Sequence, residues 1–371
     1  MRQSIFAFDW LLFLAILIIS IFSLVMDYFL VPNLFFQQVF YIILGLVVFF
    51  IFSRLDFRIW EKLGWLVFLG SIIFLLMPLI FGGVTRGALR WIRIGSFTIQ
   101  PSELVKPFLI VFFSSLFAGE EKIKFKKALR GFLFLLIPAI LIFIQPDLGS
   151  SLVVVISILG ILFVAGLPLK FFLGTGGAIL AFLPLVWRFL LKDYQKDRVL
   201  SFLDPHSDPL GRGYNLIQSM VAVGAGKFFG RGLGKGTQSG LQFLPERHTD
   251  FMFASFAENF GFLGVLIFLG VFAFLLWRIL KIASQTNDKF GFLFACGVFC
   301  LIFAQGFINI GMNLGLLPVT GIPLPLLSYG GSSFLATMIM LGILENICYN
   351  MRSRLSSSPN GETLYNKTRY G

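Results

Sequence analysis

A chain of 371 residues that is 57% hydrophobic, 13% charged and holds 48 Phe cannot hide its apolar surface inside a soluble fold. Its mean hydropathy of +0.89 and net charge of +12 point to a basic membrane protein. The expected class is all-α, a polytopic protein of about ten transmembrane helices, and no nucleic-acid partner is expected.

In chain order, apolar segments long enough for a hydrocarbon core of about 30 Å lie near 8–26, 36–53, 63–82, 100–118, 131–145, 149–168, 171–190, 251–277, 290–313 and 331–349. Arg2 precedes the first, but its apolar core is too long for a signal peptide and no small-x-small site follows, so it reads as an uncleaved anchor. With the N-terminus inside, one side collects Arg54, Arg58, Lys62, Lys122, Lys124, Lys126, Lys127 and Arg130. Arg278, Lys281, Lys289, Arg352, Arg354, Lys367 and Arg369 join them, whereas 27–35 and 314–330 carry no Lys or Arg. The positive-inside rule then places both termini in the cytoplasm. Residues 1–350 read as one transmembrane domain with a long extracytoplasmic loop, 188–250, between helices 7 and 8; residues 351–371 read as a disordered cytoplasmic tail.

Two outward segments break the charge rule. Residues 83–99 carry Arg86, Arg90 and Arg93, and 188–250 carry Arg188, Lys192, Lys196, Arg198, Arg212, Lys227, Arg231, Lys235 and Arg247. Long loops translocate regardless of charge, which accounts for the second but poorly for three arginines in a short loop. A ligand with several negative charges accounts for both, since the Arg fork binds phosphate oxygens bidentately. Within the long loop, Gly224 to Gly240 reads GAGKFFGRGLGKGTQSG, glycine-dense enough for an anion-binding nest of backbone N–H groups. It is no Walker loop, because Gly236 follows Lys235; the bland alternative is a flexible loop.

Buried charge adds a second set. Glu103 and Lys106 stand at i, i+3 inside the fourth span, close enough to pair, where intramembrane ionisable groups are costly and tend to line a cavity. Pro107 after Lys106 predicts a kink. Asp147 sits at the outer end of the fifth span, Asp250 and Glu258 open the eighth, and Glu345 lies in the tenth. Gln305, Asn309 and Asn313 repeat every four residues, a polar stripe of the kind that glues helices. Cys296, Cys300 and Cys348 lack metal spacing and read as small hydrophobes. His248, two residues before Asp250, is a weak signal.

Six stretches in order carry a resemblance: Gly87-Ala-Leu-Arg-Trp-Ile, Gln100-Pro-Ser-Glu-Leu-Val-Lys, Gln145-Pro-Asp-Leu-Gly, Phe202-Leu-Asp-Pro-His-Ser-Asp-Pro-Leu-Gly-Arg-Gly-Tyr, Leu244-Pro-Glu-Arg-His-Thr-Asp-Phe, and Leu316 to Ser333. The chain to about residue 350 resembles the SEDS family (shape, elongation, division and sporulation). Gly236-Thr-Gln-Ser, Pro-Glu-Arg-His and Pro323 are similar to its elongation branch. The resemblance implies a peptidoglycan glycosyltransferase that polymerises lipid II on the outer face of the cytoplasmic membrane. It also implies a class B penicillin-binding protein as crosslinking partner, and makes Asp250 of the His-Thr-Asp-Phe motif the catalytic residue. The sequence departs from the family pattern at Asn215 and at Asn259, the latter removing a second acid beside Glu258.

Chemistry fits that expectation: a sugar hydroxyl needs a positioned base, which Asp250 supplies, and a diphosphate leaving group needs cations, for which Arg90, Arg93, Arg198, Lys227 and Arg231 stand as candidates. Glu103, Lys106, Asp147 and Glu258 complete the candidate substrate-binding set. A divalent cation, Mg2+ or Mn2+, is the one candidate cofactor; no organic cofactor is expected. Two other readings stay open, a lipid II flippase and a non-catalytic scaffold of the elongation complex.

Overall fold

A computed structural model describes residues 8–81, 83–85, 88–95, 97–119 and 125–357. Each of the ten expected apolar segments is helical: α1 (Trp10–Leu30), α2 (Pro32–Arg54), then, after a short amphipathic α3 (Phe57–Lys62), α4 (Gly64–Phe81). A three-stranded antiparallel meander follows, β1 (Gly83–Thr85), β2 (Ala88–Ile94) and β3 (Phe97–Ile99), in the order β1-β2-β3. The fourth span is broken as the Lys106-Pro107 step predicts, into α5 (Pro101–Leu104) and α6 (Lys106–Ala118), with Val105 between them. Then come α7 (Phe125–Ile144), α8 (Leu148–Val164) and α9 (Leu169–Leu185), the last ending in a π-helical turn, Val186–Leu190.

The long loop is itself partly helical: α10 (Asp193–Leu203), α11 (Tyr214–Ala225) and a single turn α12 (Thr237–Gly240). The chain closes with α13 (Met252–Gln285), α14 (Lys289–Asn313) and α15 (Gly331–Ser357). Seven of these helices are long and apolar enough to cross a membrane, and Gly64–Ile80 and Leu148–Val164 are shorter apolar ones. The fold class therefore stands as a helical multi-pass membrane protein, with the small sheet as an unanticipated addition. α15 runs on past Asn350 to Ser357, so the expected disordered tail begins in helix; residues 358–371, like Arg2, Arg86, Lys122 and Lys124, lie outside the described residues.

Burial explains the arrangement. α14 and α15 are the central helices, with 72% and 94% of their apolar windows buried, against 28% for α2 and α13. The central pair can be buried because α15 lies along α2 while α14 lies between α8, α13 and α6. The outer helices turn residues such as Ile43, Leu66 and Ile80 outward, which is the correct polarity for a lipid solvent, where exposure of apolar groups carries no penalty.

One glycine sets the geometry on the side of the long loop. Gly261 interrupts α13 with φ +67°, and a Cβ there would stand 2.2 Å from the Gly230 nitrogen. The kink and the missing side chain let the glycine-rich loop lie directly on α13.

Candidate active site

At the end of the bundle where α2 begins and α13 starts, a cavity of about 390 Å³ opens. Its walls come from five separate stretches: Leu34 and Tyr41 of α2, β2 and β3, the α5 turn, the 246–250 turn, and the 321–333 segment.

The 246–250 turn is held from three directions. Glu246 takes φ +49°, a left-handed conformation uncommon for a residue with a side chain, and its carbonyl accepts the N–H groups of Thr249 (3.1 Å) and Phe251 (3.2 Å). The Ser328 hydroxyl donates to Thr249 O at 2.7 Å and the Tyr329 N–H to His248 O at 2.9 Å. From below, the Asn309 and Asn313 side-chain amides both donate to the carbonyl of Asp250, at 3.0 and 3.1 Å. The carboxylate of Asp250 enters the cavity from this turn. It can approach the 320–321 backbone because Gly321 (φ +73°) has no side chain: a Cβ would stand 3.3 Å from Asp250 Oδ2 and 4.0 Å from Arg198 Nη1. Arg198 itself donates to Thr320 O at 3.0 Å. It therefore borders the 246–250 turn across Gly321 without lining the cavity.

The opposite charge comes from β2. Arg90 and Arg93 both line the cavity with Trp91. Neither guanidinium has an ion pair or side-chain hydrogen bond among the described residues, and Arg90 Nε is buried without a partner. Two cations without an ion pair of their own, in a cavity that Asp250, Glu246 and the Lys106-paired Glu103 also line, are arranged for a ligand that brings its own anion.

The floor is the α5 turn. Lys106 Nζ pairs with Glu103 Oε1 at 2.5 Å, both buried, and the Ser150 hydroxyl donates to the same oxygen at 3.1 Å. Asp147 caps α8, accepting the Ser150 N–H at 3.2 Å, and its other oxygen accepts from Gln100 Nε2 (2.7 Å) and Ser102 Oγ (2.8 Å). Gln100 in turn donates its N–H to the Ser332 hydroxyl at 3.0 Å. Glu103 lines the cavity; Lys106 and Asp147 lie behind it and fix Glu103 and Gln100.

The remaining expected site residues lie elsewhere. Glu258 is fully buried and serves the loop. Its two oxygens accept the N–H groups of Gln238 and Ser239 (both 2.8 Å), the Ser239 hydroxyl (2.6 Å) and the Thr237 hydroxyl (3.3 Å). The glycine-rich stretch does form an anion nest, and the anion is this protein's own Glu258. Asn259 extends it, accepting the Gly234 N–H at 3.0 Å. Lys227 and Arg231 are exposed and outside the cavity; Arg231 donates to Ala225 O at 2.9 Å. Arg247 donates to Leu30 O at 2.9 Å, tying the turn to the end of α1.

Gln100, Trp91, Thr98, Glu246, His248 and Tyr329 join the cavity as residues that charge patterning did not single out as ligands. His248 and Gln100 had a signal, the motifs that carry them. Burial pushes the pKa of the Tyr329 hydroxyl up, with Tyr41 and Asp27 adding to it, so it stays protonated and able to donate. Among the described residues no three His, Cys, Asp or Glu side chains converge as a metal site requires.

Known proteins resemble this chain along nearly all its length. The family described as cell cycle protein, of the FtsW, RodA and SpoVE type, matches residues 2–353. The peptidoglycan glycosyltransferase MrdB of Escherichia coli K12 is 41% identical over 322 residues, 85% of this chain and 86% of that protein. A chain of a peptidoglycan synthase complex, solved for the structural coordination of polymerization and crosslinking, superposes with a TM-score of 0.82 at 31% identity, covering 93% of this chain and 98% of that one. The crystal structure of the Thermus thermophilus rod shape determining protein RodA superposes with a TM-score of 0.71 at 28% identity, covering 93% and 97%.

Proposed function

The chain belongs to the cell cycle protein family of FtsW, RodA and SpoVE, and from that premise we propose that it polymerises lipid II in the Asp250 cavity. It is a peptidoglycan glycosyltransferase and a multi-pass membrane protein. The observation that carries the finer reading is the convergence of Asp250, Arg90 and Arg93 on one cavity of about 390 Å³.

In the proposed reaction the 4-hydroxyl of an acceptor sugar gives its proton to the Asp250 carboxylate as its oxygen attacks the donor's anomeric carbon. One C–O bond forms, the bond from that carbon to the diphosphate oxygen breaks, and the polyprenyl diphosphate leaves with the electron pair. Configuration inverts in a single displacement, by the logic of inverting glycosidases. Arg90 and Arg93 meet the charge that grows on the departing diphosphate. Tyr329 and His248 are placed to hydrogen-bond the sugars. A divalent cation, Mg2+ or Mn2+, remains a proposal: with one or two carboxylates from the protein it would have to complete its shell on the substrate's phosphate oxygens.

The site faces the outer side of the cytoplasmic membrane in this reading, supported by the loop-charge asymmetry, with both termini inside. A class B penicillin-binding protein is the proposed crosslinking partner, supported by the likeness to a complex that couples polymerization to crosslinking. Purified protein given lipid II in detergent tests the reading. Glycan strands are expected; a flippase or scaffold would leave the lipid unpolymerised, since detergent offers no second leaflet, and that result would overturn it.

A further inference from the structure

A second cavity, of about 420 Å³, lies at the opposite end of the bundle, where α1 begins and α2 and α15 end. It shares no residue with the Asp250 cavity. The polymerisation chemistry gives it no role.

Two carboxylates line it: Asp56, whose Oδ1 accepts the Arg58 N–H at 3.0 Å at the start of α3, and the buried Glu345, which defines its chemistry. Glu345 lines the cavity yet is only 1% exposed. Its Oε1 accepts the Asp9 N–H at 2.8 Å, while Oε2 is buried with no hydrogen-bond partner among the described residues. The neighbouring charges are already engaged: Asp9 Oδ2 pairs with Arg278 and, at 3.5 Å, with Arg352. A buried carboxylate oxygen left without a donor is costly, and a cation with N–H groups entering the cavity would satisfy it.

The rest of the lining says what else that cation carries. Phe8, Trp10, Phe50 and Tyr349 wall the cavity with aromatic faces that suit an ammonium group. Arg54 stands in the lining with an exposed side chain and no ion pair among the described residues, a ready partner for a phosphate. Beyond Trp10 and Phe50, Leu11 and Ile51 continue as exposed apolar surface, which in a membrane lies against acyl chains. Ammonium, phosphate and hydrocarbon follow one another in the order of a phospholipid.

We propose that this cavity binds the headgroup of a zwitterionic aminophospholipid, its ammonium donating to Glu345 Oε2 and its phosphate meeting Arg54. The inference does not depend on the Asp250 chemistry. A glycerol headgroup of net negative charge would offer Glu345 only neutral hydroxyls, and would bring that charge to a cavity lined by Glu345 and Asp56.

Native mass spectrometry of the full-length protein in detergent, with submicellar short-chain phosphatidylethanolamine, tests this against the N-acetylated lipid, which lacks the ammonium. Wild-type protein is expected to retain phosphatidylethanolamine about tenfold better, the size of one charged hydrogen bond. Glu345→Gln, which keeps the acceptor for the Asp9 N–H and turns an amide to the cavity, should erase that preference. Arg54→Ala, on an exposed side chain with no ion pair among the described residues, should weaken both lipids alike and serves as the variant that must fold. Equal retention by the wild type, a preference that survives Glu345→Gln, or binding unchanged by Arg54→Ala would each overturn the proposal. So would displacement of the lipid by a lysine-rich peptide at equal concentration, which would make the occupant a basic protein segment.

Discussion

Asn313 donates from its side-chain amide to the backbone carbonyl of Asp250 across 3.1 Å, while its Oδ1 accepts the Ala254 N–H at 3.0 Å. One fully buried side chain on α14 thus fixes both the turn that carries Asp250 and the first turn of α13. Asn309, a turn earlier, holds the same carbonyl and that of Ile322. The backbone that carries the Asp250 carboxylate is thus held by two amides outside the cavity lining. Asn313→Ala is expected to leave a buried N–H and carbonyl short of partners, costing about 1–3 kcal/mol, visible as a lower unfolding temperature in detergent. Its turnover should fall while KM for lipid II changes little, because the displaced group is the base and not the binding surface.

The polar stripe of Gln305, Asn309 and Asn313 is legible in the sequence because a period of four has meaning on a helix. Its target is not, because Asp250 lies 59 residues from Asn309 and no local rule links them. The same divide recurs. The Glu103–Lys106 pair could be read at i, i+3, and the glycine-rich loop could be read as an anion nest, but which anion fills it is a tertiary fact: Glu258 meets it about 20 residues away in sequence, where the loop folds back on α13. Glycine density with interleaved Lys and Arg looks alike whether the nest serves a ligand or a side chain. That is why Lys227 and Arg231 were expected in the site and lie on the surface instead. The sheet had a signal, a run of Leu, Trp and Ile around Arg90, obscured by its shortness.

The buried pair under the cavity is a matter of stability first. Lys106→Met would leave Glu103 with only the Ser150 hydroxyl at 3.1 Å. Breaking a buried ion pair from one side costs about 3–5 kcal/mol, so folded yield and thermal stability should drop sharply. A variant with normal yield and normal polymerisation would show that the pair is incidental.

The cations separate by position. Arg90→Ala and Arg93→Ala should each slow polymerisation on the order of a hundredfold if they meet the diphosphate, with folded yield unchanged. Lys227→Ala and Arg231→Ala should stay within about twofold of wild type, as exposed residues outside the cavity do. Steady-state rates on lipid II distinguish the two groups, and equal losses in all four would reinstate the loop as a ligand site.

The orientation has its own test. A cysteine placed at Ser207, exposed in the long loop, should react with a membrane-impermeant thiol reagent in intact cells. One at Ser357 should not. Background is low because Cys296 and Cys348 are buried and Cys300 is half-buried. The reverse labelling would place the Asp250 cavity on the inner face.

Asp250 and Glu258 offer the sharpest contrast, since two carboxylates eight residues apart do different work. Asp250 enters the cavity from a turn pinned by Asn309, Asn313 and Ser328. Glu258 faces away from it, with both oxygens taken up by the 237–239 turn. Asp250→Asn keeps the shape and removes the basicity, so polymerisation should fall by about 10²–10⁴-fold, the usual weight of a general base, with unfolding temperature and lipid II binding retained. Glu258→Gln puts a donor where four donors converge, and should lower the unfolding temperature through the loss of about 1–3 kcal/mol. The activity it keeps should be that of whatever fraction stays folded. If Asp250→Asn still builds long strands at a near-normal rate, the base lies elsewhere in the cavity, with Glu246 as the next carboxylate to remove.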